Sequence, residues 1–254
     1  MIKWKLMATT LPFVALALLA KLAFERILGL PGYVDFSDVS AVLTAGAFLI
    51  GFMLAGTLAD YKESEKLPGE LACSLEAVED TLLVCSFRKD LDLLAMRRRL
   101  LNLTEAICGL LAKQRTAEQV MAELSEMNAT FMDIDKAGGT PHAIRGLNEL
   151  ANLRKAVTRI DVIARTGFLS SGYAILEVIV ASVIALLVVS RFKGVVSEYT
   201  LITFITLVYV YMLRLIRDVD DPFEYGPDLV KRGSAEVDLF PLLRCRERIR
   251  ARVG

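Results

Sequence analysis

SAVLTAGAFLIGFMLAGTLADYKESEKLP, residues 40–68, decides the class of this protein. The run from Val39 to Ala59 carries no charge and then turns polar at Asp60. That is the length, about 20 apolar residues, that a helix needs to cross the hydrocarbon core of a bilayer. Residues four apart share one face of a helix, and two such stripes can be read here. Ala47, Gly51, Ala55 and Ala59 form a small stripe, which lets helix backbones approach closely in a membrane. Thr44, Phe48, Phe52 and Gly56 form the next stripe round, with two aromatic rings on it.

The whole chain agrees with a membrane reading. Of its 254 residues 54% are hydrophobic, and mean hydropathy is +0.47. A soluble domain is about 45–50% apolar, and here the excess is gathered in blocks. Formal net charge is zero, so a basic face for nucleic acid is not expected. The four cysteines, Cys73, Cys85, Cys108 and Cys245, have no CxxC or Cys/His spacing. They read as plain structural thiols in a reducing compartment.

Four spans are predicted. The first covers about residues 6–29, with Lys21 near its end; a charge so placed is expected to snorkel towards the interface. GLPGY at 29–33 breaks the chain. The second span runs to Asp60, the third covers about 169–190 and the fourth about 198–216. Residues 61–167 hold no segment apolar enough to span. Their apolar and charged faces alternate at helical period. Thr116 and Gln119 are spaced as a capping box, AGGTPH at 137–142 reads as a loop, and a long amphipathic helix begins near residue 143.

The fold class is therefore an all-α membrane protein. It has four transmembrane helices, two N-terminal and two C-terminal, with an intervening cytoplasmic helical domain. The domains are 1–60, 61–167, 168–217 and a C-terminal segment at 218–254. Lys and Arg near the span ends, chiefly Lys3, Lys5, Lys62, Lys66, Arg97, Arg98, Arg99, Arg214 and Arg217, put both termini and the central domain in the cytoplasm. Arg191 and Lys193, in the loop between the last two spans, are a mild counter-signal. The expected location is a bacterial inner membrane.

Two motifs carry a resemblance. In FLIGFMLAGTLADYKESEKLP (48–68), Phe48, Gly51, Phe52, Leu67 and Pro68 resemble the neck helix of bestrophins and the Leu-Pro that follows it. After the fourth span, Asp221, Pro222 and Phe223, and then residues 239–242, resemble the turn and the Leu-Pro-Leu segment of that family. The resemblance covers about a third of the chain and does not extend over the central domain. It implies a homopentamer whose second helices line a central axis. The implied function is a passive ion channel for small monovalent anions such as chloride.

On this reading the pore neck comprises Thr44, Phe48, Gly51, Phe52 and Ala55. An apolar constriction gates by dewetting, and aromatic edges carry partial positive charge. The competing reading is that both rings pack against helices or lipid. The family has an apolar residue where this chain has Thr44, and a hydroxyl there shortens or wets the constriction. Asp60 and Glu63 are pore-exit charges; with Glu65 they also suit a cation-conducting bacterial relative. Glu177 is an acid inside the third span and so a functional candidate; it lines a vestibule or pairs with Lys21. The resemblance implies a calcium clasp at Asp218 and Asp221, whereas the residues alone read as a solvated turn. No other cofactor is expected. His142 is the sole histidine, no P-loop or nucleophile elbow occurs, and an enzyme is not expected. The remaining alternative is a non-conducting scaffold or sensor. Expected partners are further copies of the chain, the lipid bilayer and small inorganic ions.

Overall fold

The structure, a computed structural model, describes residues 4–27, 29, 32–89, 91–166, 170–231 and 235–254. The chain divides into two compact units. The first comprises residues 1–60, 167–220 and 233–235, and the second 61–166, 221–232 and 236–254.

In the first unit α1 (Lys5–Leu22) runs into a wider helical turn, Ala23–Ile27. Helix α2 spans Phe36–Ser64, α7 Ser170–Val189 and α8 Val195–Asp220. Helices long and apolar enough to cross a membrane occur at Lys5–Ile27, within Phe36–Phe87, at Ser171–Val189 and at Val195–Asp220. Helix α2 does not stop at Asp60, because Tyr61, Lys62, Glu63 and Ser64 are good enough helix formers to carry the ladder onward.

Helix α1 packs on α8 and α7, and α7 packs on α8. The inward face of α7 is Leu176, Val180, Val183 and Leu187, a stripe at four-three-four spacing. It meets Ile202, Val210, Leu213 and Ile216 of α8. Much of the opposite surface stays apolar: Leu11, Leu16, Leu19, Ile175, Val178, Phe204 and Val208 are all exposed, which suits a surface covered by lipid. At one end of the unit the two interhelical connections meet. Val34–Asp35 (β1) pairs in parallel with Ser190–Arg191 (β2), and the Tyr33 amide donates to the Val189 carbonyl at 3.0 Å. Gly32 makes this contact possible, since a Cβ there would lie 2.7 Å from the Arg191 nitrogen.

The second unit is a helical bundle. Helices α3 (Leu67–Lys89), α4 (Leu93–Leu111), α5 (Ala117–Lys136), α6 (Thr140–Arg165) and α9 (Phe240–Val253) make it up. Helix α3 packs on α6 and α9, α4 on α5 and α9, and α5 on α6. Leu71, Leu75, Val78 and Leu82 of α3 repeat the four-three-four stripe and are wholly buried with Leu103, Leu124, Phe131 and Leu153.

The helix ends follow local chemistry. The capping box of α5 is formed: the Gln119 amide donates to Thr116 Oγ1, and the Thr116 amide donates back to Gln119 Oε1. At its other end Gly138, at φ 80°, closes a Schellman motif. The Gly138 amide reaches the Asp135 carbonyl at 2.7 Å and the Gly139 amide reaches the Ile134 carbonyl at 2.9 Å. The loop predicted over 137–142 is shorter than that, because α6 already starts at Thr140. Pro141 sits in its first turn, where its missing N–H costs nothing.

Helix α9 is strapped on by arginines. Arg248 pairs with Glu76, Arg250 with Glu105 and Arg252 with Glu79. Glu79 is only 2% exposed and also takes Arg97 at 2.9 Å. Phe223, Tyr225, Leu239 and Leu242 lie in the same core, so the two C-terminal motif pieces are packing elements of this unit.

The cysteines divide the same way. Cys73 is exposed, and Cys85, Cys108 and Cys245 are buried. Burial pushes the Cys108 thiol up to about 11 and the Cys245 thiol up to about 12. The thiolate is the reactive form, so at pH 8 little of either is available. Maleimide labelling of the folded chain at that pH is expected to mark Cys73 rapidly, with the other three reacting only after denaturation. Rapid labelling of Cys108 or Cys245 would contradict this core.

Candidate functional site

Helix α2 has two unlike faces. Val39, Gly46, Ile50, Met53 and Thr57 are buried. Gly46 is the point of closest approach: a Cβ there would meet Ile179 Cγ2 and the Tyr209 hydroxyl, each at 3.1 Å. The Tyr209 hydroxyl donates to the Leu43 carbonyl, which ties α8 to α2. The other face is bare. Phe48 and Phe52 are each 73% exposed, Thr44 and Ala55 are exposed beside them, and nothing lies within 4 Å of where a Gly51 Cβ would be. Ala47 and Ala59 are exposed as well. The small stripe at 47, 51, 55 and 59 is exposed along its length, and among the described residues the close approach to α8 is at Gly46.

The Thr44 hydroxyl donates to the Ser40 carbonyl one turn back, at 2.9 Å. Its proton is spent on its own helix, so the residue presents a more apolar surface than its formula suggests.

The charged candidates are arranged differently from the sequence expectation. Glu63 is held by Arg159 in a two-pronged pair, with Nε to Oε1 at 2.7 Å and Nη2 to Oε2 at 2.6 Å. The guanidinium offsets the charge of this carboxylate. Asp60 is exposed. Lys21 does not snorkel: its side chain is wholly buried. Its ammonium sits 2.8 Å from Glu198 and 3.0 Å from Glu25. It donates to the Ser190 carbonyl at 2.7 Å and the Val188 carbonyl at 3.2 Å, and lies 5.5 Å from the Phe192 ring. Glu25 one turn further along its own helix, Glu198 at the start of α8 and two carbonyls at the end of α7 outcompete water for it.

Glu177 does not pair with Lys21. Its partner is Arg217 of α8, whose guanidinium also lies 5.7 Å from the Tyr173 ring. Glu25, Glu198, Arg159 and Arg217 were not among the sequence candidates. Only Glu198, an acid at the mouth of an apolar span, carried any signal; the others acquire partners through the fold.

Asp221 faces Lys113 at 4.0 Å. Among the described residues no three His, Cys, Asp or Glu side chains gather as a metal would need.

No family model and no curated protein matches this sequence. Solved structures do. Two variant structures of a bacterial bestrophin homologue from Klebsiella pneumoniae superpose with a TM-score of 0.78, at 14% and 15% identity. Each alignment covers 98% of this chain and 98–99% of that one. A third structure of the homologue gives a TM-score of 0.75 at 16% identity, covering 98% of both chains. The chain has the bestrophin fold. At this identity the likeness concerns the path of the backbone. Within the bestrophin fold, α2 with its bare Phe48 and Phe52 face is the helix that the sequence motif singles out.

Proposed function

We propose that this protein is an oligomeric ion channel of bestrophin type. It passes small monovalent anions such as chloride along an axis lined by α2. The observation that carries this reading is the asymmetry of α2. One face is buried within the chain, and the other presents two phenylalanines at 73% exposure among small residues. Small residues at 47, 51, 55 and 59 let several copies of α2 crowd round one axis, and the rings then form an apolar constriction that opens by wetting. The family resemblance suggests five copies. Both termini and residues 61–166 face the cytoplasm, as the lysine and arginine distribution suggests.

Arg159 offsets the charge of Glu63, one of the carboxylates that would favour cations at the exit, and this supports the anion reading over the cation-conducting alternative. Charge beside the pore sets the sign of the permeant ion.

Flux from liposomes tests the proposal. Purified protein under a chloride gradient is expected to pass current that exceeds the current under a matched sodium gradient. Phe52→Ala widens and wets the neck, and is expected to raise the anion flux several-fold. Larger sodium flux would keep the channel and reverse its selectivity. Absence of both fluxes, from protein shown to be folded and oligomeric, would move the assignment to a non-conducting scaffold.

A further inference from the structure

A cavity of about 480 Å³ lies in the first unit where the ends of α2, α7 and α8 converge. Arg191 and Lys193 line it, together with the hydroxyl residues Ser37 and Ser197. Phe36 and Phe192, stacked with their ring centroids 5.1 Å apart, and Leu201 supply an apolar wall. Neither Arg191 nor Lys193 has an ion-pair partner among the described residues. One carboxylate, Asp35, also lines the cavity, so the lining keeps a net positive charge. Lys21, behind Phe192, is engaged by Glu25 and Glu198 and adds no free charge.

The position narrows the ligand. Helix α7 ends at Val189 and α8 begins at Val195, so the two cations sit in the turn between two apolar spans, at the level of lipid headgroups. The first turns of α2 and α8 add backbone N–H groups with no intrahelical partner, which favour an anion. Val195 and Val196 beside the cavity are 68% and 81% exposed, an apolar surface that suits acyl chain. Arginine and lysine on an interface are not neutral to the bilayer: anionic lipid attracts them.

We propose that this cavity binds the phosphate headgroup of an anionic phospholipid, with Arg191 and Lys193 on the phosphate oxygens and the acyl chains along the first turns of α8. The site is independent of what the protein conducts. It also accounts for the two cations that run against the general charge distribution, since a bound lipid phosphate offsets them.

Native mass spectrometry of the full chain in detergent, titrated with phosphatidylglycerol, tests it. Phosphatidylcholine, glycerol phosphate and inorganic phosphate are the comparison ligands. Phosphatidylglycerol is expected to be retained in preference to phosphatidylcholine. Arg191→Gln and Lys193→Gln each weaken it about tenfold, the effect of losing one charge-assisted hydrogen bond. Arg191→Lys, which keeps the charge, and Arg98→Gln, an exposed arginine of the other unit, leave retention near the wild-type level. Equal retention of the two lipids, or unchanged retention in both Gln variants, would overturn the site. Displacement of the lipid by equimolar glycerol phosphate or inorganic phosphate would overturn the lipid assignment and leave a site for a free anion.

Discussion

Lys21→Met lowers the stability of the protein by about 3–5 kcal/mol, the usual consequence of removing one partner from a buried ion pair. The ammonium is wholly buried and is the cation that faces Glu198, itself only 8% exposed. Met keeps the volume and removes the charge. Glu198 is then left as a buried carboxylate without its partner, and the Ser190 and Val188 carbonyls lose their donor. Glu25 suffers less, since a third of its side chain is exposed to water. The lost contacts join α1 to the end of α7 and to β2, so the effect spreads beyond one side chain. Thermal unfolding of the full chain in detergent reads the change. Glu198→Gln in the Lys21→Met background removes the stranded charge and is expected to restore part of the loss. A Lys21→Met variant as stable as wild type would mean that the cluster contributes nothing net.

The second large effect is expected where α5 crosses α6. The Phe131 ring is wholly buried and occupies the space beside Gly146. A Cβ at 146 would sit 2.0 Å from Phe131 Cε1, far inside contact distance. Gly146→Ala alone therefore forces the ring aside and costs about 1–3 kcal/mol. Phe131→Ala alone leaves a cavity and costs about 3–5 kcal/mol. The two losses do not add. With the ring gone, the new methyl enters the vacated space, and replacing a helical glycine by alanine brings about 1 kcal/mol of helix propensity. The double variant is expected to be more stable than Phe131→Ala alone. Denaturation of the four proteins as a double-mutant cycle measures the coupling. Additive losses would show that the crossing is looser than the geometry states.

Sequence alone determined the fold class. Length and absence of charge mark each span, and both are local properties that survive in any tertiary arrangement. The capping box at Thr116 and Gln119 was legible for the same reason: its two partners are three residues apart. Phe48 and Phe52 could be placed on one stripe of α2 by spacing. Which stripe is bare and which packs could not be read, because Gly46, Ile50 and Met53 are as apolar as Phe48 and Phe52 and differ only in what the other helices bring to them. The charges were least legible. Arg159 reaches Glu63 across 96 positions, Arg217 reaches Glu177 across 40, and Lys21 finds its carbonyls across 167 and 169. A charge in an apolar segment needs water or a partner, and the sequence sent Lys21 towards the interface and left Glu177 between a vestibule and a partner. Only the tertiary structure pairs them, because compensation depends on distance through space and not on spacing along the chain.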